Sequence, residues 1–582
     1  METQVQTTPT KEKNSSPQPM KITGADAVIR SLLHEDVDTI FGYVGGAIMP
    51  IYDALFDHKE NVKHHMVRHE QGAIHAAQGY ARATRKTGVV FATSGPGATN
   101  LITGLADAML DSTPLVCITG QVPSALLGTD AFQETDILSM SMPATKWNFQ
   151  ITRAEEIPEA LAKAFYFANS GRPGPVLIDI TKDAQFAEID YVYEKINKVR
   201  SYIPYPKINS QDIADAAKLI NEAKQPLLLV GQGVILSGAE KELYKFVEKT
   251  GIPVAWTLLG SSAFPNQHEL SVGMLGMHGN YGPNKATNEC DLLIGLGMRF
   301  DDRVTGNLQT YAKQAKVLHI ELDPAEINKN VKADVAVNAD AKQALMDLIH
   351  EVEEKRYPEW YKVFDNYKKI EHDKVIENDV TTRPGHQIKM GEVIHRISEL
   401  TKGEAVVVTD VGQHQMSAAR YYMNEPGSNL ITSGGLGTMG FGLPAAIGAK
   451  IALGDKKEVI TFIGDGGFQM TVQELGTIME SGAAVKIVLL NNGYLGMVRQ
   501  WQDLFFEKRY SMVELTNPDF IKLSESYGIK ARQISAHEDL EDGLNEMLQS
   551  KEAFLLEVIV EKEENVFPMV PAGATVSEMR LE

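Results

Sequence analysis

Short apolar runs that end in glycine or aspartate, each followed by a helical segment, recur along almost the whole chain. Between 21 and 185, TGADAVIRSLLHEDV and EQGAIHAAQGYARATRK carry helical periodicity, while TIFGYVG, GVVFATSG, PLVCITGQ and VLIDI read as strands. Strands alternating with helices make βαβ units, and right-handed crossovers assemble such units into parallel sheets. The rhythm returns in QPLLLVGQGV, IPVAWTLLG, DLLIGLGMRF and KVLHIELDP, and again in EAVVVTDVG, NLITSGG, EVITFIGDG, VKIVLLNNG and AFLLEVIV. The predicted fold is α/β, with three doubly wound parallel-sheet domains in series at 21–185, 209–352 and 386–562. Linkers are expected at 186–208 and 353–385, and a tail at 563–582. The polar stretch 1–20 reads as a disordered lead-in, without the apolar segment of a secretory signal.

With 582 residues the chain is long enough for several separate cores. Its formal net charge of -20 opposes nucleic-acid or anionic-membrane binding. No run of roughly 18 uncharged apolar residues predicts a membrane span. Cys117 and Cys290 both sit in apolar runs, which fits a reducing, cytoplasmic setting without a disulfide framework or zinc site.

The segment ITFIGDGGFQMT (460–471) places one aspartate among glycines at the end of an apolar strand. Glycines let the backbone turn tightly and approach a ligand, and a strand's carboxyl end is where α/β sheets bind one. Residues 467–490 hold a helix and the strand VKIVLL, after which come Asn491 and Asn492. If the two strands are neighbours, their ends lie roughly 5 Å apart at one edge. Asp465 and Asn492 then offer two oxygens to a Mg²⁺ that also takes diphosphate oxygens. A helix beginning at Gly464, Gly466 and Gly467 adds backbone N–H donors for that anion.

This spacing resembles the diphosphate–magnesium signature of thiamine-diphosphate enzymes, and the chain after residue 20 is similar to the acetohydroxyacid (acetolactate) synthase catalytic subunits. The matching segments are FGYVGGAIMPIYDAL, RHEQGAIHAAQGYARAT, TSGPGATN, FQETDI, RPGPVLIDITKD, MLGMHG, RFDDRVTG, GGLGTMGFGLPAAIGAK and NNGYLGMVRQWQ. The resemblance implies that Asp465, Asn492 and the backbone oxygen of Tyr494 hold magnesium. It implies that Gln413 and His414 bind the diphosphate and that Met439 wedges beneath the cofactor. Glu70 is implied to bond the pyrimidine ring nitrogen, a role suited to a carboxylic acid in an apolar cleft. Gly46, Phe132, Gln133 and Lys182 resemble substrate-side positions, and Met497 and Trp501 resemble the wall facing the second 2-ketoacid. RFDDRVTG implies FAD, contacted by Arg172, by His278, Gly279, Arg299 and Arg303, and by the stretch from Glu321 to Asp340. The implied reaction decarboxylates pyruvate and ligates the two-carbon unit to pyruvate or 2-ketobutyrate. The implied assembly is a homodimer or tetramer with Glu70 and the magnesium end supplied by different copies, with a separate regulatory small subunit as a further partner.

Three positions depart from the family pattern: Val44 in place of a usual proline, Ser417 in place of a tryptophan and Arg85 in place of a glycine. GLGTMG (435–440) matches a dinucleotide fingerprint by letter, but the acid it would need is committed to the GDG turn. The histidines His64, His65, His69 and His75 lack the HE-x-x-H spacing of a zinc protease. Pyruvate oxidase, a flavin-free catabolic acetolactate synthase and an inactive nucleotide-binding scaffold are the alternative readings.

Overall fold

The apolar runs of each block become the strands of one six-stranded sheet, and within each sheet all neighbours run parallel. The computed structural model describes residues 20–381, 385–424 and 430–582. The expected lead-in lies outside them, except for Met20, which begins a strand. Across the first sheet the strands are Lys63–Met66, Thr39–Gly42, Gly88–Ala92, Leu115–Gln121, Pro175–Thr181 and Trp147–Ile151. The third sheet repeats that order with Leu430–Ile431, Val406–Thr409, Val459–Gly464, Lys486–Asn491, Phe554–Ile559 and Lys530–Ile534. The middle sheet runs Ser271–Met274, Val254–Trp256, Pro226–Val230, Leu292–Leu296, Lys316–Glu321 and Val335–Asn338. Counted along the chain, this is the 3-2-1-4-5-6 order of dinucleotide-binding sheets. Where strand order reverses, the following loops diverge and leave a crevice at the carboxyl edge. The three crevices open after Gly42 and Ala92, after Val230 and Leu296, and after Thr409 and Gly464.

The joints are more structured than their sequences suggest. Glu188–Tyr191, inside the expected first linker, pairs antiparallel with Met20–Thr23 and closes the first domain. The second expected linker contains the helix Pro358–Glu371, whose Trp360 and Phe364 enter the middle core. The tail also folds back, because Val576 joins that core and Val570 N–H donates to Met277 O at 2.8 Å. Arg420 and Glu371, both almost fully buried, pair at 2.6 Å and tie the linker helix to the third domain. Among the described residues no helix is long and apolar enough to cross a membrane.

The first and third domains meet through two helices, Glu70–Thr84 and Gly442–Leu453. Glycines set their separation: a Cβ at Gly79 would lie 1.9 Å from Ala445 O, and one at Gly448 would lie 1.8 Å from Ala76 O. Any side chain there forces the helices apart. Gly448→Ala is expected to destabilise the protein by about 1–3 kcal/mol or more in chemical denaturation. Gly282→Ala, whose new carbon meets nothing closer than 3.5 Å, is expected to be neutral or slightly stabilising.

Candidate active site

In the third domain Gly464 lies opposite Leu490, so the chain beyond both strands emerges at one rim. Asp465 and Asn492 are both buried there. The Asn517 amide donates to Asp465 Oδ2 at 2.7 Å and to Asn491 Oδ1 at 3.0 Å, clamping the two loops together. Burial pushes the Asp465 carboxyl up to about 6, while Asn517 and backbone N–H groups, including that of Gly493, oppose the rise. These partners are all neutral, so a cation placed at the rim favours the ionised form. Asn492 Oδ1 accepts from Tyr494 N–H at 3.1 Å, which fixes the amide's orientation.

Across the crevice the helix Gln413–Tyr421 begins. His414 Nε2 is buried and has no partner, and burial lowers this imidazole to about 4, so it stays neutral. A buried donor or acceptor of this kind calls for a ligand or water. A Cβ at Gly464 would stand 3.0 Å from His414 Nδ1, and one at Gly467 would stand 2.3 Å from Asp410 Oδ1, so both glycines keep the crevice open. Asp410 accepts N–H bonds from Val411, Gly440 and Gly442 at 2.8, 3.1 and 2.8 Å, anchoring the end of the loop that carries Met439. Gln413 is partly engaged within the protein: its amide nitrogen donates to Gln500 Oε1 at 2.9 Å and to Glu564 O at 2.7 Å.

Met497 and Trp501 stand one turn apart on the helix Gly496–Phe505 and, with Met439, line a cavity of about 1290 Å³. The same cavity runs into the middle crevice, where Arg172, His278, Arg299, Arg303, Glu321 and Asp340 line it. Gly279 stands behind this wall, and its carbonyl accepts from Arg420 at 3.1 Å. His278 Nδ1 is another buried atom without a partner. Burial lowers that imidazole to about 4 and raises the Glu321 carboxyl to about 7. Arg172 reaches in from the first domain, 3.2 Å from Asp323 and 3.4 Å from Glu326. Asp340 caps the helix Ala341–Glu351 through N–H bonds from Lys342 and Gln343.

The remaining expected residues gather elsewhere. Glu70 opens the helix Glu70–Thr84, and its Oε2 accepts from Asn100 Nδ2 at 2.9 Å. A Cβ at Gly97 would lie 3.2 Å from Glu70 Oε1, whereas one at Gly46 meets nothing within 4 Å. Gln133 has φ 60° and packs its backbone over Gly95, Phe132 is 88% exposed, and Lys182 begins the helix Lys182–Phe186. None of Glu70, Gly46, Phe132, Gln133 and Lys182 is among the residues lining the large cavity. Asp465, Asn492 and His414 are not among them either, so the expected residues fall into three groups: at the crevice of the first sheet, at the rim of the third, and around the cavity between the second and third.

The sequence reading missed Asp410, Asn517, Asn100 and the pair Gln232 and Gly233. Gln232 and Gly233 line the cavity immediately after the strand Pro226–Val230, where a Gly-x-Gly turn was the available signal. Asn517 carried none, because it lies far along the chain in an irregular segment.

Comparison with known proteins agrees with the three-domain architecture. Three family models match in series: the N-terminal TPP binding domain of thiamine pyrophosphate enzymes over 22–140, their central domain over 213–348 and their C-terminal TPP binding domain over 410–558. The chain is 47% identical to the acetolactate synthase isozyme 2 large subunit of Escherichia coli, over 96% of this chain and 99% of that one. It is 45% identical to the acetolactate synthase large subunit of Corynebacterium glutamicum, over 98% and 91%. It is 46% identical to a probable acetolactate synthase large subunit of Methanocaldococcus jannaschii, over 96% and 95%. Likeness of this degree along nearly the whole length shows that the chain belongs to the acetolactate synthase large-subunit family of thiamine pyrophosphate enzymes.

Proposed function

We propose that the chain acts as the catalytic subunit of an acetolactate synthase in branched-chain amino-acid biosynthesis, decarboxylating pyruvate and ligating the two-carbon unit to pyruvate or 2-ketobutyrate. The observation that carries this reading is the rim of the third sheet, where the buried Asp465, with only neutral partners, stands beside Asn492 across from the unpartnered His414 Nε2. That donor set fits thiamine diphosphate with Mg²⁺. Asp465, Asn492 and the Tyr494 carbonyl would hold the ion, which keeps open positions for phosphate oxygens. Neutral His414 would bond a diphosphate oxygen, and Met439 would support the cofactor from the cavity side. Thiamine diphosphate held there would supply a nucleophilic ring carbon and an electron sink for decarboxylation of a 2-ketoacid.

The protein's part is orientation and proton placement. Glu70 would hydrogen-bond the pyrimidine ring nitrogen, with the Asn100 amide fixing its side chain. Gly46 leaves space for substrate, and Gln133 and Lys182 would orient it, with Phe132 covering it. Trp501 and Met497 would shape the seat of the second ketoacid and exclude water.

The middle cavity fits FAD: its sheet has the dinucleotide order, three arginines face the space, and His278 Nδ1 lacks a partner. The ligation involves no net oxidation, so the flavin would be structural. Glu70 and Asp465 lie on different domains, and Phe132, Met142 and Met49 are exposed on the first, which favours a homodimer or a dimer of dimers in which Glu70 completes a neighbour's site. A separate regulatory small subunit is a further partner. The buried reduced Cys117 and Cys290 fit a cytoplasmic location.

Glu70→Ala and Asp465→Ala are each expected to abolish product formation alone, while mixed and reassembled chains recover it. No recovery in verified mixed oligomers would overturn the shared site. Anaerobic pyruvate is expected to leave the flavin spectrum unchanged for many turnovers, whereas rapid bleaching would indicate a pyruvate oxidase. Trp501→Leu is expected to retain acetolactate synthesis but lower selectivity for 2-ketobutyrate by roughly tenfold, the scale of one methylene contact. Product ratios with both ketoacids competing would read this directly.

A further inference from the structure

The loop that delivers Met439 to the cavity belongs to the third domain, yet its first half is held by the first. Gly434 and Gly435 donate their backbone N–H groups to Asp111 Oδ2 and Oδ1 at 2.8 and 2.7 Å. Ser433 Oγ donates to Asp107, and Thr438 Oγ1 donates to Asp107 Oδ1 at 3.2 Å. Thr438 N–H closes the loop on itself by donating to Ser433 Oγ at 2.8 Å. Arg82 completes the cluster, 2.8 Å from Asp111 Oδ2 and donating to Thr432 O at 2.5 Å.

These carboxylates are poorly placed for stability alone. Both are fully buried, and they sit near and at the C-terminal end of the helix Ile102–Leu110, where the dipole disfavours negative charge. Asp107 Oδ2 is buried without a partner. Burial raises the Asp111 carboxyl, Arg82 opposes the rise and the Asp107 charge adds to it. A buried charged network of this kind fixes one geometry at some expense of stability. The loop is matched to it, since a Cβ on Gly435 would lie 2.9 Å from Asp111 Oδ1 and 3.0 Å from Arg299 Nη2. Bare backbone is therefore required between the aspartate and the cavity-lining arginine.

We propose that Asp107 and Asp111 are positioning residues: two buried carboxylates of the first domain set the height and angle of the third domain's Met439 loop, and so the affinity and shape with which the cofactor is held. The proposal deepens the reading of Met439 as the cofactor's support and rests on it. Neither aspartate touches the reacting atoms, so both act through the loop.

The test is hydrogen–deuterium exchange of residues 433–440 in the holoenzyme, compared with the neighbouring helix Gly442–Leu453, together with thiamine diphosphate titration of the stripped enzyme. In Asp111→Asn, which removes the charge and turns one of two acceptors into a donor facing a backbone N–H, loop exchange is expected to rise by roughly tenfold or more while the helix is unchanged. The dissociation constant for thiamine diphosphate is expected to rise by a similar factor. Asp107→Asn, a milder change because the amide nitrogen can replace the unpartnered Oδ2 while the oxygen still accepts from Ser433 and Thr438, is expected to give a smaller effect in the same direction, and it serves alone if Asp111→Asn does not fold. Unchanged loop exchange, or a rise shared equally by the helix, overturns the proposal. Faster exchange confined to the loop with an unchanged dissociation constant upholds the latch and instead removes Met439 as the cofactor's support.

Discussion

Right-handed crossovers between parallel strands deliver every outgoing loop to the same edge of a sheet, and the rest of this molecule depends on that constraint. Asp410 and His414 follow one strand, while Asp465 and Asn492 follow two others farther along the chain, yet none of them has to fold its own neighbourhood. The apolar strands do so: Val406–Thr409, Val459–Gly464 and most of Lys486–Asn491 are buried, each large aliphatic contributing about 1.5–3 kcal/mol. That rigidity lets the rim hold a carboxylate at 1% exposure and a histidine nitrogen without a partner, both unfavourable in isolation.

Central strands were legible in the sequence and most edge strands were not, Leu430–Ile431 in NLITSGG being an exception. A strand covered on both faces reads as a continuous apolar run, as in PLLLV or LLIGL. The missed strands KHHM, WNFQI, VAVN and KARQI all sit at sheet edges and are only partly buried. The site divided in the same way. Asp465 and Asn492 announce themselves by glycines and by position at strand ends, whereas Asn517, Asp107 and Asp111 act through long-range contacts that no local spacing encodes.

The departures from the family pattern have local explanations. Arg85 adopts φ 60° at the end of the helix Glu70–Thr84, a conformation glycine reaches more easily, and its guanidinium pairs with Glu240 of the middle domain. Ser417 is buried within the helix Gln413–Tyr421, and Val44 lies exposed beside Gly45 at the first crevice. None of the three displaces a residue that faces the candidate magnesium position.

The glycine contacts between the helices Glu70–Thr84 and Gly442–Leu453 leave no slack for sliding or bending. Glu70 opens the first of these helices and Arg82 lies near its other end, about 18 Å away at the rise of an α-helix. A rod pinned this way acts as a spacer: it fixes the position of Glu70 relative to Arg82, and through Asp111 relative to the Met439 loop of the same chain.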